Sequence, residues 1–218
     1  MQVARTRVKI CGLTRLEDVD AAVLAGADAV GFVFYGASKR HVSIDQARML
    51  RQAVPAFVSV VALFVNEDPA LVRQIQQQVQ PDLLQFHGDE TPDYCASFNQ
   101  RYIRAFRVGG PGMQTPEHVA QACIPYSAAG AWLFDTYSSG YGGSGLSFDA
   151  GLLEGVRKMT QRPALVLAGG LKPDTVAAAI LSVQPYAVDV SSGVEQAPGI
   201  KSAERISAFM AAVSPSPA

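Results

Sequence analysis

Val8-Lys9-Ile10-Cys11-Gly12-Leu13-Thr14 reads as a short strand, a turn and the approach to a helix. It lacks the Gly-x-Gly-x-x-Gly that a doubly wound dinucleotide-binding sheet carries after its first strand. Runs of the same strand-like kind occupy residues 8–10, 29–34, 58–65, 83–86, 102–106, 131–134, 164–168 and 187–190. Helical patterns fall between them at the roughly 20–30-residue spacing of βα units. Most of the runs are apolar without strict alternation, as parallel strands covered on both faces tend to be. Eight such units predict an α/β protein formed as one closed (β/α)8 TIM barrel.

Local signals support the helices. Thr14 is expected to cap a helix through Glu17, Val19 and Val23 to Gly26, where glycine suits the left-handed C-terminal position. Ser43 precedes a second helix towards Leu50, Asp68-Pro69 opens a third through Ile75, and Thr91-Pro92 opens a fourth. Later helices are expected near Thr115-Pro116, Asp149, Pro173 and Ser202. Residues 1–213 are read as a single barrel domain, followed by a disordered tail, Ser214-Pro215-Ser216-Pro217-Ala218.

Composition narrows the function. The 218 residues are 49% hydrophobic, enough for a substantial core, and 18 basic against 19 acidic side chains leave a net charge of -1. These charges are mixed along the chain, without the basic block that would track a phosphate backbone, so nucleic acid is not an expected partner. The apolar stretch after Arg5 and Arg7 is too short for a signal peptide or membrane span, so no membrane partner and a cytoplasmic location are expected. Three widely spaced cysteines fit neither a disulfide framework nor a zinc cluster and read as reduced thiols. A monomer is expected, since no helix pattern shows a surplus apolar face.

In a parallel barrel all strand C-terminal ends meet at one mouth, so residues ending distant strands can face one ligand. Gly169-Gly170 follows the seventh strand and Ser191-Ser192-Gly193 the eighth, the two loops that most often bind phosphate in such barrels. Glycine admits close backbone approach, the serines add hydroxyls, and a short helix near Gly193 would aim its amides at the anion. Either loop alone would equally serve as a tight turn; the two in this order point to a phosphorylated small molecule.

Cys11 ends the first strand, and Asp135 follows Trp132-Leu133-Phe134 at the end of the sixth. A cysteine is often only a small buried hydrophobe. Beside Gly12 and a helix N-terminus, however, its thiolate is expected to be stabilised enough to act as a base. Asp135 could simply cap a turn, yet a sheltered carboxyl there would hold a proton to donate. Arg40, in Ser38-Lys39-Arg40-His41, offers a planar fork to a carboxylate, or is a solvated loop residue. His87 ends the fourth strand and either touches ligand or packs the rim. Asp189, within the eighth strand, either points into the mouth or orients its neighbours. Cys95, Cys123 and His118 read as structural or surface residues, and no His/Asp/Glu set has metal-ligand spacing.

The chain resembles the phosphoribosylanthranilate isomerases of tryptophan biosynthesis from Lys9 to Phe209. The resemblance is carried by Lys9-Ile10-Cys11-Gly12-Leu13, Gly26-Ala27-Asp28-Ala29-Val30-Gly31-Phe32-Val33-Phe34 and Leu84-Gln85-Phe86-His87-Gly88. It continues through Leu133-Phe134-Asp135, Gly142-Gly143-Ser144-Gly145, Leu167-Ala168-Gly169-Gly170-Leu171 and Val188-Asp189-Val190-Ser191-Ser192-Gly193-Val194-Glu195. It implies an Amadori rearrangement of N-(5-phosphoribosyl)anthranilate to the 1-deoxyribulose 5-phosphate isomer, with no metal or organic cofactor. By that likeness Asp135 is the general acid, Cys11 the general base, Arg40 the partner of the anthranilate carboxylate and Asp189 a hydrogen-bond partner of substrate. Three positions depart from the family pattern: Lys39 stands where proline is more usual, Ser144 replaces threonine, and Ser202 follows Lys201 in place of aspartate. None is a proposed acid or base. An indole-glycerol-phosphate synthase would need a lysine acid at an inner strand end, a pentose-phosphate epimerase a metal set, and a non-catalytic sugar-phosphate binder neither Cys11 nor Asp135.

Overall fold

The computed structural model describes residues 5–137 and 149–213. Eight strands, β1 (Arg7–Cys11), β2 (Ala29–Val33), β3 (Ser59–Phe64), β4 (Leu83–Phe86), β5 (Tyr102–Val108), β6 (Ala131–Thr136), β7 (Ala164–Leu167) and β8 (Ala187–Val190), form a closed barrel in chain order. Each neighbouring pair is parallel, and β8 closes directly on β1, with Lys9 opposite Asp189. The helices α1 (Leu16–Leu24), α2 (Ile44–Gln52), α3 (Pro69–Val79), α4 (Pro92–Ala96), α5 (Pro116–Cys123), α6 (Glu154–Arg157), α7 (Val176–Val183) and α8 (Ala203–Val213) follow the strands in turn. This is the expected (β/α)8 architecture.

The missing alternation in the strands has a direct cause: both faces are buried. Val8, Ile10, Phe32, Phe64, Phe86 and Phe134 belong to the large cluster that includes the apolar helix residues. Their strand neighbours Val61, Ile103, Ala105, Leu133, Val166 and Ala168 form a separate cluster. Side chains two apart share a strand face, so these sets are the outside and the inside of the barrel. A third cluster, Cys11, Val33, Leu63 and Val65 with Tyr35 against it, lies at the C-terminal ends.

Most expected caps form. Ser43, Asp68, Thr91 and Thr115 each accept a hydrogen bond from a first-turn amide, and Pro69, Pro92 and Pro116 stand at the starts of their helices. Gly26 takes φ +87 after α1, and Ser202 Oγ accepts from the Arg205 amide at 3.2 Å. Thr14 does not cap α1. Arg15 occupies that position without a side-chain cap, while Thr14 Oγ1 donates to the Gly199 carbonyl at 2.7 Å, tying the first βα loop to the last. Near Pro173, α7 waits until Val176, because Thr175 Oγ1 and the Lys172 backbone bond within a preceding turn.

After β8 the chain makes a 3-10 turn, Ser192–Val194, where a short helix was expected, and then a small antiparallel hairpin, β9 (Glu195–Ala197) and β10 (Ile200–Lys201). Strands of three and two residues are too short for any periodicity to announce them. The Gly140 to Gly145 segment and the 214–218 tail lie outside the described residues. No helix among the described residues is long and apolar enough to cross a membrane.

Candidate active site

The loops after β7 and β8 meet at the barrel mouth. Ala168, Gly169 and Gly170 face Ser191, Ser192 and Gly193 across one cavity, which Asp135 and Asp189 also line. Glycine is required at two of these positions. Gly169 has φ +81, and a Cβ there would collide with Thr136 Oγ1 and lie 3.2 Å from Asp135 Oδ1. A Cβ on Gly193 would strike the Leu171 carbonyl oxygen. The close approach that a phosphate-binding loop needs is therefore also what brings that loop against Asp135.

A second cavity adjoins the first. Cys11, Arg40, His87, Asp135 and Asp189 line it, and it shares Asp135, Asp189 and Ser191 with its neighbour. Cys11, from β1, and Asp135, from β6, thus border one space, and every site residue expected from the sequence lies on one of the two cavities. Cys11 is the last residue of β1, and Asp135 sits inside β6, which runs one residue further, through Thr136.

The Cys11 thiol behaves differently from expectation. It is buried, and burial pushes its pKa up, with the nearby Lys9 charge only partly opposing the rise. The helix N-terminus does not supply the expected help. α1 starts at Leu16, and the Gly12 and Leu13 amides both donate to the Gly31 carbonyl, at 2.8 and 3.1 Å. The cation beside the sulfur is instead Lys9, two residues earlier on the same strand face and with Nζ 2.9 Å from Asp189 Oδ1. Desolvation works against the Lys9 ammonium, but Asp189 and Cys11 outweigh it and raise its pKa. Lys9 was not singled out from the sequence. The available signal was a lysine inside an otherwise apolar strand, which burial tolerates only with a partner.

Asp135 is held from two sides. The Thr136 amide donates to Oδ1 at 2.8 Å, and His87 Nε2 lies 3.2 Å from Oδ2. Gln85 Nε2 lies 3.2 Å from His87 Nδ1. With Gln85 donating there, a neutral His87 carries its proton on Nε2 and presents it to Asp135. Gln85 is fully buried and its Oε1 has no partner among the described residues, where this contact is the one made by its amide.

Arg40 does reach the site, but with a partner not foreseen. Its Nε and Nη2 engage Glu195 Oε1 and Oε2 at 2.7 and 2.8 Å, the bidentate geometry of a guanidinium on a carboxylate. Lys201 Nζ bonds the same Glu195 Oε1 at 2.8 Å and the Ser191 carbonyl at 3.1 Å. Burial works against the Glu195 charge, yet Arg40 and Lys201 outweigh it and keep the carboxyl below its usual range. The β9–β10 hairpin thereby links the arginine in the loop after β2 to the serine loop after β8, the two strands that flank β1. Cys95 and Cys123 lie buried in α4 and α5; burial pushes the Cys95 thiol up to about 12 and Cys123 further. His118 is exposed on α5.

A family model described as N-(5'phosphoribosyl)anthranilate (PRA) isomerase matches residues 8–212. The chain is 60% identical over 209 residues to the N-(5'-phosphoribosyl)anthranilate isomerase of Bordetella parapertussis, covering 96% of both proteins. It is 50% identical over 213 residues to that of Pseudomonas fluorescens, covering 97% of each. The solved phosphoribosyl anthranilate isomerase of Thermotoga maritima superposes with a TM-score of 0.86 at 41% identity, over 95% of this chain and 98% of that one. Another such isomerase, solved with reduced 1-(o-carboxyphenylamino)-1-deoxyribulose 5-phosphate, superposes at 0.83 with 38% identity over the same shares.

Proposed function

The chain belongs to the N-(5'-phosphoribosyl)anthranilate isomerase family of tryptophan biosynthesis, and from that premise we propose that Cys11 and Asp135 carry out its proton transfers. The substrate phosphate sits against Gly169, Gly170, Ser191, Ser192 and Gly193, where backbone amides and hydroxyls meet it. The anthranilate carboxylate lies towards Arg40, which keeps Nη1 beyond its two bonds to Glu195. Fixing both ends of the substrate leaves the sugar carbons between Cys11 and Asp135, so binding is converted into orientation.

Asp135 protonates the furanose ring oxygen as its bond to the first sugar carbon breaks, and the anthranilate nitrogen lone pair closes the iminium. His87, in reach of Oδ2, orients that carboxyl and can exchange a proton with it. The iminium withdraws electrons and acidifies the second sugar carbon. The Cys11 thiolate removes its proton, and the resulting enolamine relaxes to the ketoamine. Each group contributes about a hundred- to ten-thousand-fold in rate. No step calls on a metal or organic cofactor.

The observation that carries this reading is the single cavity bordered by Cys11 and Asp135, joined through Asp135, Asp189 and Ser191 to the glycine and serine loops. The test is to supply freshly made phosphoribosylanthranilate and follow the decay of its fluorescence with wild type, Cys11→Ser and Asp135→Asn. Turnover by wild type and loss of at least about a hundredfold in each variant is expected. Unchanged turnover in either variant removes that residue from the mechanism.

A further inference from the structure

The base at the end of β1 comes with its own counter-charge. Lys9 and Cys11 are two apart on one strand, so both point into the barrel. Lys9 opposes Asp189 across the β1–β8 pairing, and its Nζ donates to Asp189 Oδ1 at 2.9 Å with both side chains nearly inaccessible. Gly31, opposite Cys11 on β2, leaves the room: a Cβ there would lie 2.9 Å from Cys11 Sγ and 3.1 Å from Lys9 Nζ. Sulfur and ammonium therefore occupy the space that a side chain on β2 would fill.

We infer that Lys9 is a positioning residue for the base: held in place by Asp189, its ammonium stabilises the Cys11 thiolate as the cation that shares with it the space left open by Gly31. The inference rests on the reading of Cys11 as the base. A buried ammonium persists only when paired, and Asp189 supplies the permanent partner. The ammonium then has a donor left for Cys11, and its interaction with the sulfur grows when the thiol loses its proton. Lys9 thus favours the charged form of a group that burial otherwise keeps protonated. The other groups bearing on Cys11 are Asp189 from β8, which opposes the thiolate, Lys201 from β10, Arg40 from the loop after β2, and His87 and Asp135 across the cavity. Lys9 is the cation that faces Gly31 together with the sulfur.

The test titrates the thiol directly in the full chain, by the rate of iodoacetamide alkylation against pH, with Cys11→Ser subtracting Cys95 and Cys123. In Lys9→Met the Cys11 midpoint should rise by at least about one pH unit, which lowers alkylation about tenfold at neutral pH. The rising limb of kcat/KM against pH should shift the same way, with kcat falling more than KM changes. Lys9→Gln, which keeps a hydrogen-bond donor for Asp189 but carries no charge, covers a Lys9→Met chain that fails to fold, and its midpoint should rise likewise. A folded Lys9→Met or Lys9→Gln with the wild-type midpoint overturns the inference. Full turnover by Cys11→Ser would defeat the base reading instead, and the alkylation series tells the two failures apart because it needs no turnover.

Discussion

Replacing Glu195 by glutamine should injure both stability and substrate binding, in amounts the structure sets. The Glu195 side chain is 5% exposed and the Lys201 side chain it neutralises is 0% exposed. Removing one partner of such a pair costs about 3–5 kcal/mol, because the other charge stays buried without compensation. Glutamine keeps one carbonyl acceptor, and Lys201 keeps the Ser191 carbonyl at 3.1 Å, so the lower end, about 3 kcal/mol, is expected. For a domain of this size that lowers Tm by about 6–12 °C. Arg40 also loses its bidentate anchor, and a tenfold rise in KM, about 1.4 kcal/mol, should follow with a smaller change in kcat. Urea titration with the fluorescence assay reads both quantities. Adding Lys201→Met removes the stranded ammonium and should restore about half of the lost stability. A single variant within about 1 kcal/mol of wild type, or a double variant as unstable as the two singles combined, would refute the reasoning.

The same carboxyl predicts an acid limit: its folded pKa lies below the unfolded value, so its stabilisation is whole above about pH 4.3 and is lost as pH falls through the folded value. Urea midpoints taken from pH 5 downward should fall more steeply for wild type than for Glu195→Gln. Because burial raises the Cys11 thiol, kcat/KM should climb with pH through neutrality and past about 8.5, and a plateau already reached at pH 6 would contradict it. Gly169→Ala forces a Cβ into a backbone with φ +81 and against Thr136, so inhibition by inorganic phosphate should weaken about tenfold or more, as measured by its inhibition constant. In the folded Cys11→Ser chain, Cys95 and Cys123 should resist an aromatic disulfide reagent at pH 8 and react fully once urea is added, since burial holds both thiols protonated.

The barrel was legible because its evidence is repeated. Eight apolar runs at βα spacing carry the same message, and errors of one or two residues at strand ends, such as β6 extending through Asp135 to Thr136, leave the topology intact. The positions of Cys11, Asp135, Gly169 and Ser191 followed from a single rule about strand ends. What escaped was tertiary. Lys9 lies inside a strand, and its partner Asp189 becomes a neighbour only when β8 meets β1. Glu195 and Lys201 sit on a hairpin too short to show a period, and their meaning lies in Arg40, which is 155 residues away in the chain from Glu195. Thr14 carries a good capping side chain, yet a carbonyl at Gly199 competes successfully for its hydroxyl. The surroundings of the Cys11 thiol escape for a related reason: the sequence places a helix after it, while the intervening Gly12 and Leu13 amides are engaged by the Gly31 carbonyl.

Closure of β8 on β1 also imposes an order of events on a chain made from its N-terminus. Lys9 emerges from the ribosome early, and its carboxylate partner follows 180 residues later. Until then a nascent chain holds an ammonium destined for a dry interior with nothing to neutralise it, a standing penalty on any partly assembled cylinder that tries to seal without its last staves. Cys11, the proposed base, lies on the strand at that seam, so the cavity it borders is whole only once the ring is complete.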